Sequence, residues 1–184
     1  MNTQTLTALI TLAALTASAS IDFSGTLRLY PQWTHVKIEG SSYIRETFDD
    51  GIIYHAHTTG TNANQMTGLA RATGTLTNSA AITLDLLGGV ENSFGDALTF
   101  SRVNVLIITA DGDNTDALHI GGASTAPFES WCGTDGLAVV RPGGTLLYHA
   151  PDIVGYAVGT NGNLRITNTG TNSAVYSVYL GGTE

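Results

Sequence analysis

Apolar and polar positions alternate in short runs along most of this chain. In the closing stretch "NLRITNTGTNSAVYSVYLGG" (residues 163–182), Leu164 and Ile166 fall on one face of a strand. Ala174, Tyr176, Val178 and Leu180 fall on one face of the next, the period-two pattern of half-buried strands. Residues 169–173 between them are small and polar and predict a hairpin loop.

Such runs recur about every ten residues from residue 27 onward, the spacing of a sandwich or barrel. "HVKIE", "SYIRETF", "IIYHAH", "AITLDL", "ALHIGG", "LAVVRPGG", "TLLYHA" and "GYAVG" all read as strands. Asp49-Asp50-Gly51, between "SYIRETF" and "IIYHAH", predicts a hairpin because glycine tolerates positive φ. The polar "TGTNANQMTG" predicts a loop. "VNVLIITA" (residues 103–110) is the most apolar run and predicts a central strand covered on both faces. Gly-Gly pairs beginning at Gly88, Gly121, Gly143 and Gly181 sit just past strand ends and read as turns.

The expected fold is all-β, an antiparallel β-sandwich of jelly-roll type with an extra N-terminal strand or hairpin region. Alternation is common to other Greek-key sandwiches, so it defines the class more firmly than the topology. No fixed-period repeat and no linker interrupts residues 25–184, which read as one β-sandwich domain. Residues 1–24 read as an apolar arm or first strand. "LTALITLAALTASAS" (residues 6–20) resembles a signal-peptide core, yet no positive charge precedes Arg28, and Thr7, Thr11 and Thr16 interrupt the apolar run. It is also too short and too rich in Thr and Ser for a membrane span. "ASASIDFS" then alternates, with Ala17, Ala19, Ile21 and Phe23 on one face.

Composition sharpens this picture. Only 12% of the 184 residues are charged and 22 are glycine, which suits many tight turns and not a helical bundle. Net charge is −8, and the seven Lys and Arg are dispersed. That excludes a phosphate-tracking surface and adhesion to anionic membrane, so neither nucleic acid nor membrane is an expected partner. Cys132 is the one cysteine and cannot form an intramolecular disulfide; it reads as a buried structural thiol.

Candidate chemistry is sparse. Asp111, Asp113 and Asp116 in "DGDNTD" offer hard oxygen ligands for calcium, but the EF-hand spacing fails, and an Asx-rich turn accounts for the same residues. His55 and His57 share a strand face, where two imidazoles could meet one zinc, yet two ligands do not make a site. His35, His119 and His149 bear no sequence relation to that pair; a third histidine brought close by the fold would make a metal plausible. There is no G-x-S-x-G elbow, and "GGASTA" lacks the lysine of a phosphate-binding loop. No catalytic, cofactor-binding or metal residue is therefore assigned, no cofactor is expected, and the chain does not read as an enzyme. Tyr30, Trp33, Phe128 and Trp131 are the candidate interface or glycan contacts, with burial in the core the expected fate of at least one tryptophan.

From residue 81 to residue 182 the chain resembles a family of tailed-bacteriophage jelly-roll structural proteins of head decoration or cement type. The resemblance rests on the order of "GDALTFSRV", a long apolar strand, "LHIGG", an aromatic segment, "VVRPGG" (139–144), "APDIVGYAV" (150–158) and "LRITNTG". It implies a non-enzymatic virion component on the capsid surface, made in the host cytoplasm. Its implied partners are the major capsid protein and further copies of itself, as a homotrimer or homodimer. Residues 25–54 look longer than the family's early region and read as an added hairpin. Residues 1–20 fit a capsid anchor, a first strand or a cleaved signal. The alternative reading is a carbohydrate- or receptor-binding virion module of a tail or head fibre.

Overall fold

The computed structural model describes residues 24–29, 32–39, 42–49 and 53–184, with side chains from His57 onward. Expectations for residues 1–23 and for Tyr30 lie outside the described residues. Every described regular element is a strand, as the alternation predicts. In chain order they are β1 (Ser24–Leu29), β2 (Gln32–Glu39), β3 (Ser42–Asp49), β4 (Ile53–Thr59), β5 (Gln65–Met66), β6 (Gly68–Leu76), β7 (Ala81–Asp85) and β8 (Leu87–Glu91). There follow β9 (Ala97–Thr99), β10 (Arg102–Ala110), β11 (Leu118–Gly121), β12 (Leu137–Val140), β13 (Thr145–His149), β14 (Tyr156–Ala157), β15 (Asn163–Asn168) and β16 (Ala174–Thr183).

Two antiparallel sheets face each other as a β-sandwich. One has the order β13-β10-β16-β6, with β14 also paired to β10; the other has the order β12-β11-β15-β7. Alternate residues of the central strands close the space between them. Leu106 and Ile108 of β10 and Val178 and Leu180 of β16 share one core with Leu118 and Ile120 of β11 and Leu164 and Ile166 of β15. Each such side chain contributes about 1.5–3 kcal/mol by leaving water.

The apolar run of β10 lies at the centre of its sheet, but the cover on its outer face is partial. Val105 is buried there, whereas Ile107 and Thr109 are only half-buried. Cover at the Val105 end comes from the chain before the sandwich. Gly181 lies opposite Val105, and Met66 sits against Gly181 so closely that a Cβ there would meet its sulfur at 2.7 Å.

The predicted closing hairpin does not form. β15 pairs with β11 and β7, while β16 pairs with β10 and β6, so residues 169–173 arch from one sheet to the other. Both strands carry one apolar face, and burying the two faces against each other requires opposite sheets. Asn168 makes the arch feasible. Its buried side-chain amide donates to the carbonyls of Leu76, Thr77 and Asn172, and its oxygen accepts from the Gly170 N–H.

The hairpin predicted at Asp49-Asp50-Gly51 is also replaced. β3 pairs with β2, from Gln32↔Asp49 to Glu39↔Ser42, and β4 pairs with β1, from Ser24↔Thr58 to Leu29↔Ile53. The β2·β3 ladder is thus nested within the β1·β4 ladder. The stretch predicted as a loop contains β5, which joins β4 in parallel.

Asn168→Ala is expected to lower the unfolding free energy by about 2 kcal/mol, because carbonyls buried with it lose their donor. Ile108→Ala should cost about 3 kcal/mol through the cavity it leaves. Urea unfolding midpoints check both; shifts no larger than that of the exposed Thr171→Ala would contradict the arch and the core as described.

Candidate functional site

The connection from β11 to β12 carries two of the candidate aromatic residues. Its first part lies along the start of β15: the Phe128 N–H donates to the Asn163 carbonyl at 2.9 Å, and the Asn163 N–H donates to that of Ala126 at 3.0 Å. Glu129 then closes a turn, its carbonyl accepting from Cys132 and Gly133 and its carboxylate from the Asp135 N–H. This turn aims Phe128 and Trp131 inward, at 1% and 5% exposure. The Trp131 indole N–H donates to the Phe128 carbonyl at 2.9 Å, so the ring is buried with its polar atom satisfied. The ring meets Tyr148 edge-on at 5.0 Å, and Tyr148 meets Tyr156 at 6.0 Å. Phe128 and Trp131 therefore offer no open ring face to a sugar or a partner and are corrected to core residues. Trp33 lies opposite Phe48 in the β2·β3 ladder.

Cys132 is half-buried rather than buried as expected. Burial, and then the nearby Glu129 carboxylate, push its thiol above the ordinary range, which disfavours the nucleophilic thiolate.

The aspartate cluster forms the Asx-rich turn. Asp111 accepts from the Asp113 N–H at 2.9 Å. Asp116 reaches across to the arch after β15, accepting from the Asn172 N–H at 2.7 Å. Asn114 pairs reciprocally with the backbone of Val175, at 2.8 and 2.7 Å. Two of the three carboxylates thus hold chain to chain.

Two open grooves flank the Phe128 connection. One, of about 390 Å³, is lined by Thr83, Ser124, Thr125, Asn163 and Arg165 among others. The second, of about 320 Å³, includes Glu129, Ser130, Thr134 and Asn161. Hydroxyl and amide groups dominate the first, while the second adds the Glu129 carboxylate, one oxygen of which accepts from the Asp135 N–H. On the outer side of the edge strand β12, Leu137 and Val139 are each 53% exposed, an apolar pair at an unpaired sheet edge.

A histidine contact unites residues that share no sequence relation. Nε2 of His57, on β4, lies 3.0 Å from Nε2 of His149, on β13, with the rings at 85°. Around it runs a polar seam: the Asn64 N–H donates to Pro151 at 2.7 Å, Arg102 donates to the Thr61 carbonyl, and the Thr67 N–H donates to Gly182 at 2.9 Å. His55, the other member of the predicted pair, is on β4 opposite Leu27. Only the pairing of β13 with β10, which sets His149 opposite Val105, brings the third histidine in. No local pattern could have announced it.

No family model matches this chain, and no curated protein matches it. Among solved structures, the mitogen derived from Yersinia pseudotuberculosis is similar at 16% identity over 62% of this chain and 86% of that one, with a TM-score of 0.31. At that score the likeness carries no argument about this chain.

Cys132 is expected to alkylate with iodoacetamide more slowly in the folded protein than in the urea-unfolded chain at neutral pH. The difference should shrink as pH rises beyond the ordinary thiol range, since the raised group ionises later. Equal rates at neutral pH would contradict the environment described.

Proposed function

We propose that this chain is a non-enzymatic structural protein of a phage virion, which decorates or cements the capsid through symmetric self-association and contacts with the major capsid protein. The observation that carries the reading is where the family-like segments fall in the topology. β6, β16, β10 and β13 in one sheet and β7, β15, β11 and β12 in the other is the strand order of a jelly roll, and it supports that form of the sandwich.

The two most specific segments act as fasteners in that scaffold. In "VVRPGG", the Gly143 N–H donates to the Asp111 carbonyl at 3.1 Å, and Gly144 accepts from the Ala110 N–H at 3.0 Å. In "APDIVGYAV", the buried Asn104 amide donates to the carbonyls of Ala150 and Asp152, while the Asp152 carboxylate accepts from the Val154 and Gly155 N–H groups. Residues that give the resemblance thus serve stability rather than chemistry, as a shell-stabilising protein requires. The exposed Leu137 and Val139 on an edge strand suit self-association, and weak contacts of this kind are multiplied on a symmetric shell. The nested ladders of β1–β4 suit an arm toward the capsid.

Purified protein is expected to co-sediment saturably with assembled shells of the phage's major capsid protein and to raise their melting temperature. Leu137→Asp together with Val139→Asp should weaken that binding and reduce self-association in sedimentation. Absence of shell binding would overturn the proposal. Saturable glycan binding in its place, quenching Trp33 fluorescence, would favour a receptor-binding module.

A further inference from the structure

The outer face of the β12-β11-β15-β7 sheet changes character at one edge. On β7 and β15 it carries Thr83, Asp85, Arg165 and Thr167, whereas on the edge strand β12 it carries Leu137 and Val139. Both are 53% exposed, and between them Ala138 turns inward, half-buried. Among the described residues no strand pairs with the outer edge of β12, so the backbone groups there are open to a further strand. The edge is also sharply bounded. Asp135 has a φ of 57°, which ends the extended backbone on one side, and Pro142 lacks an N–H on the other. Only residues 136–141 are thus able to take up a ladder.

The charges at the two ends select the partner. Asp135 and Arg141 bracket Leu137 and Val139 symmetrically about Ala138, and both are exposed. Among the described residues, no group pairs with the Asp135 carboxylate or with the Arg141 guanidinium. An antiparallel ladder between two copies of β12, centred on Ala138, sets Leu137 of each copy opposite Val139 of the other. The same ladder brings Asp135 of each copy to Arg141 of the other, so apolar meets apolar and each charge meets its opposite. A ladder centred one residue away sets Leu137 opposite Arg141, or Val139 opposite Asp135, and loses both matches.

We propose that two copies of this chain pair through β12 in this register, as a twofold dimer in which their two sheets become one continuous antiparallel sheet. The same patch serves on both copies, so the contact closes at two and builds no trimer by itself. A ladder this short lies at the low end of specific contacts in area, which makes the dimer a reversible one. The inference deepens the proposed self-association and rests on that part of the reading alone. Dimerisation of a chain that binds no shell leaves the inference standing and removes the virion reading. Shell binding by a chain that stays monomeric does the reverse.

Sedimentation equilibrium of the full-length protein, without shells, reads the dimer. A monomer–dimer equilibrium is expected, with a dissociation constant on the order of 10 μM. Arg141→Asp brings two carboxylates together at each end of the ladder and should raise that constant more than about tenfold. Asp135→Arg should do the same by bringing two guanidinium groups together. Mixing the two variants should restore dimerisation, since every charge then meets its opposite. If Asp135→Arg does not fold, because positive φ disfavours arginine, Asp135→Asn and Arg141→Gln decide instead. Each should weaken the dimer, and the double variant should weaken it no more than either alone. A chain that stays monomeric at about 1 mM, a trimer, or a dimer indifferent to Arg141→Asp would overturn the proposal.

Discussion

The structure depends on one apolar contact, the meeting of the inner faces of β10 and β16 with those of β11 and β15. Leu106, Ile108, Val178 and Leu180 supply one side, and Leu118, Ile120, Leu164 and Ile166 the other. β10 and β11 follow each other in the chain, as do β15 and β16, yet none can bury its apolar face within its own sheet. The chain must therefore cross repeatedly between layers, as it does from β6 to β7, β10 to β11, β12 to β13 and β15 to β16. Each crossing takes backbone out of a ladder and leaves N–H and C=O groups to be satisfied by other means.

Short polar side chains supply those means. Asn168 holds the last arch, Asn104 and Asp152 hold the segment after β13, and Asp116 and Asn114 tie the turn after β10 to the turn before β16. This accords with a chain poor in charge yet rich in Gly and Asn. Its polar groups act as intramolecular fasteners, each holding one segment of chain to another. The aspartate cluster and the tryptophan segment, both suggestive as binding motifs, are the same device in two forms. Trp131 is buried because its own turn provides the carbonyl for its indole N–H.

The legible and illegible parts of this fold divide by the range of the interaction. The continuous apolar run "VNVLIITA" and the alternation of "NLRITN" located β10 and β15, and Leu106, Ile108, Leu164 and Ile166 are buried. Strand partners were less legible. A short polar link fits a hairpin and an arch equally, and the choice between β15 and β16 was made by their shared need to face opposite sheets. The pairing of β3 with β2, and of β4 with β1, overrides the local signal at Asp49-Asp50-Gly51. The contact of His57 with His149 was beyond local pattern, since it exists only through the pairing of β13 with β10.

Native-state amide hydrogen exchange tests most directly whether the two sheets unfold only as a whole. If inter-sheet packing is the governing interaction, the amides of Leu106, Ile108, Val178 and Leu180 should exchange with the same free energy as those of Ile120 and Ile166. That value should equal the free energy of global unfolding. Exchange of one sheet's central strands by a separate, lower-energy opening while the other sheet stays protected would contradict the account.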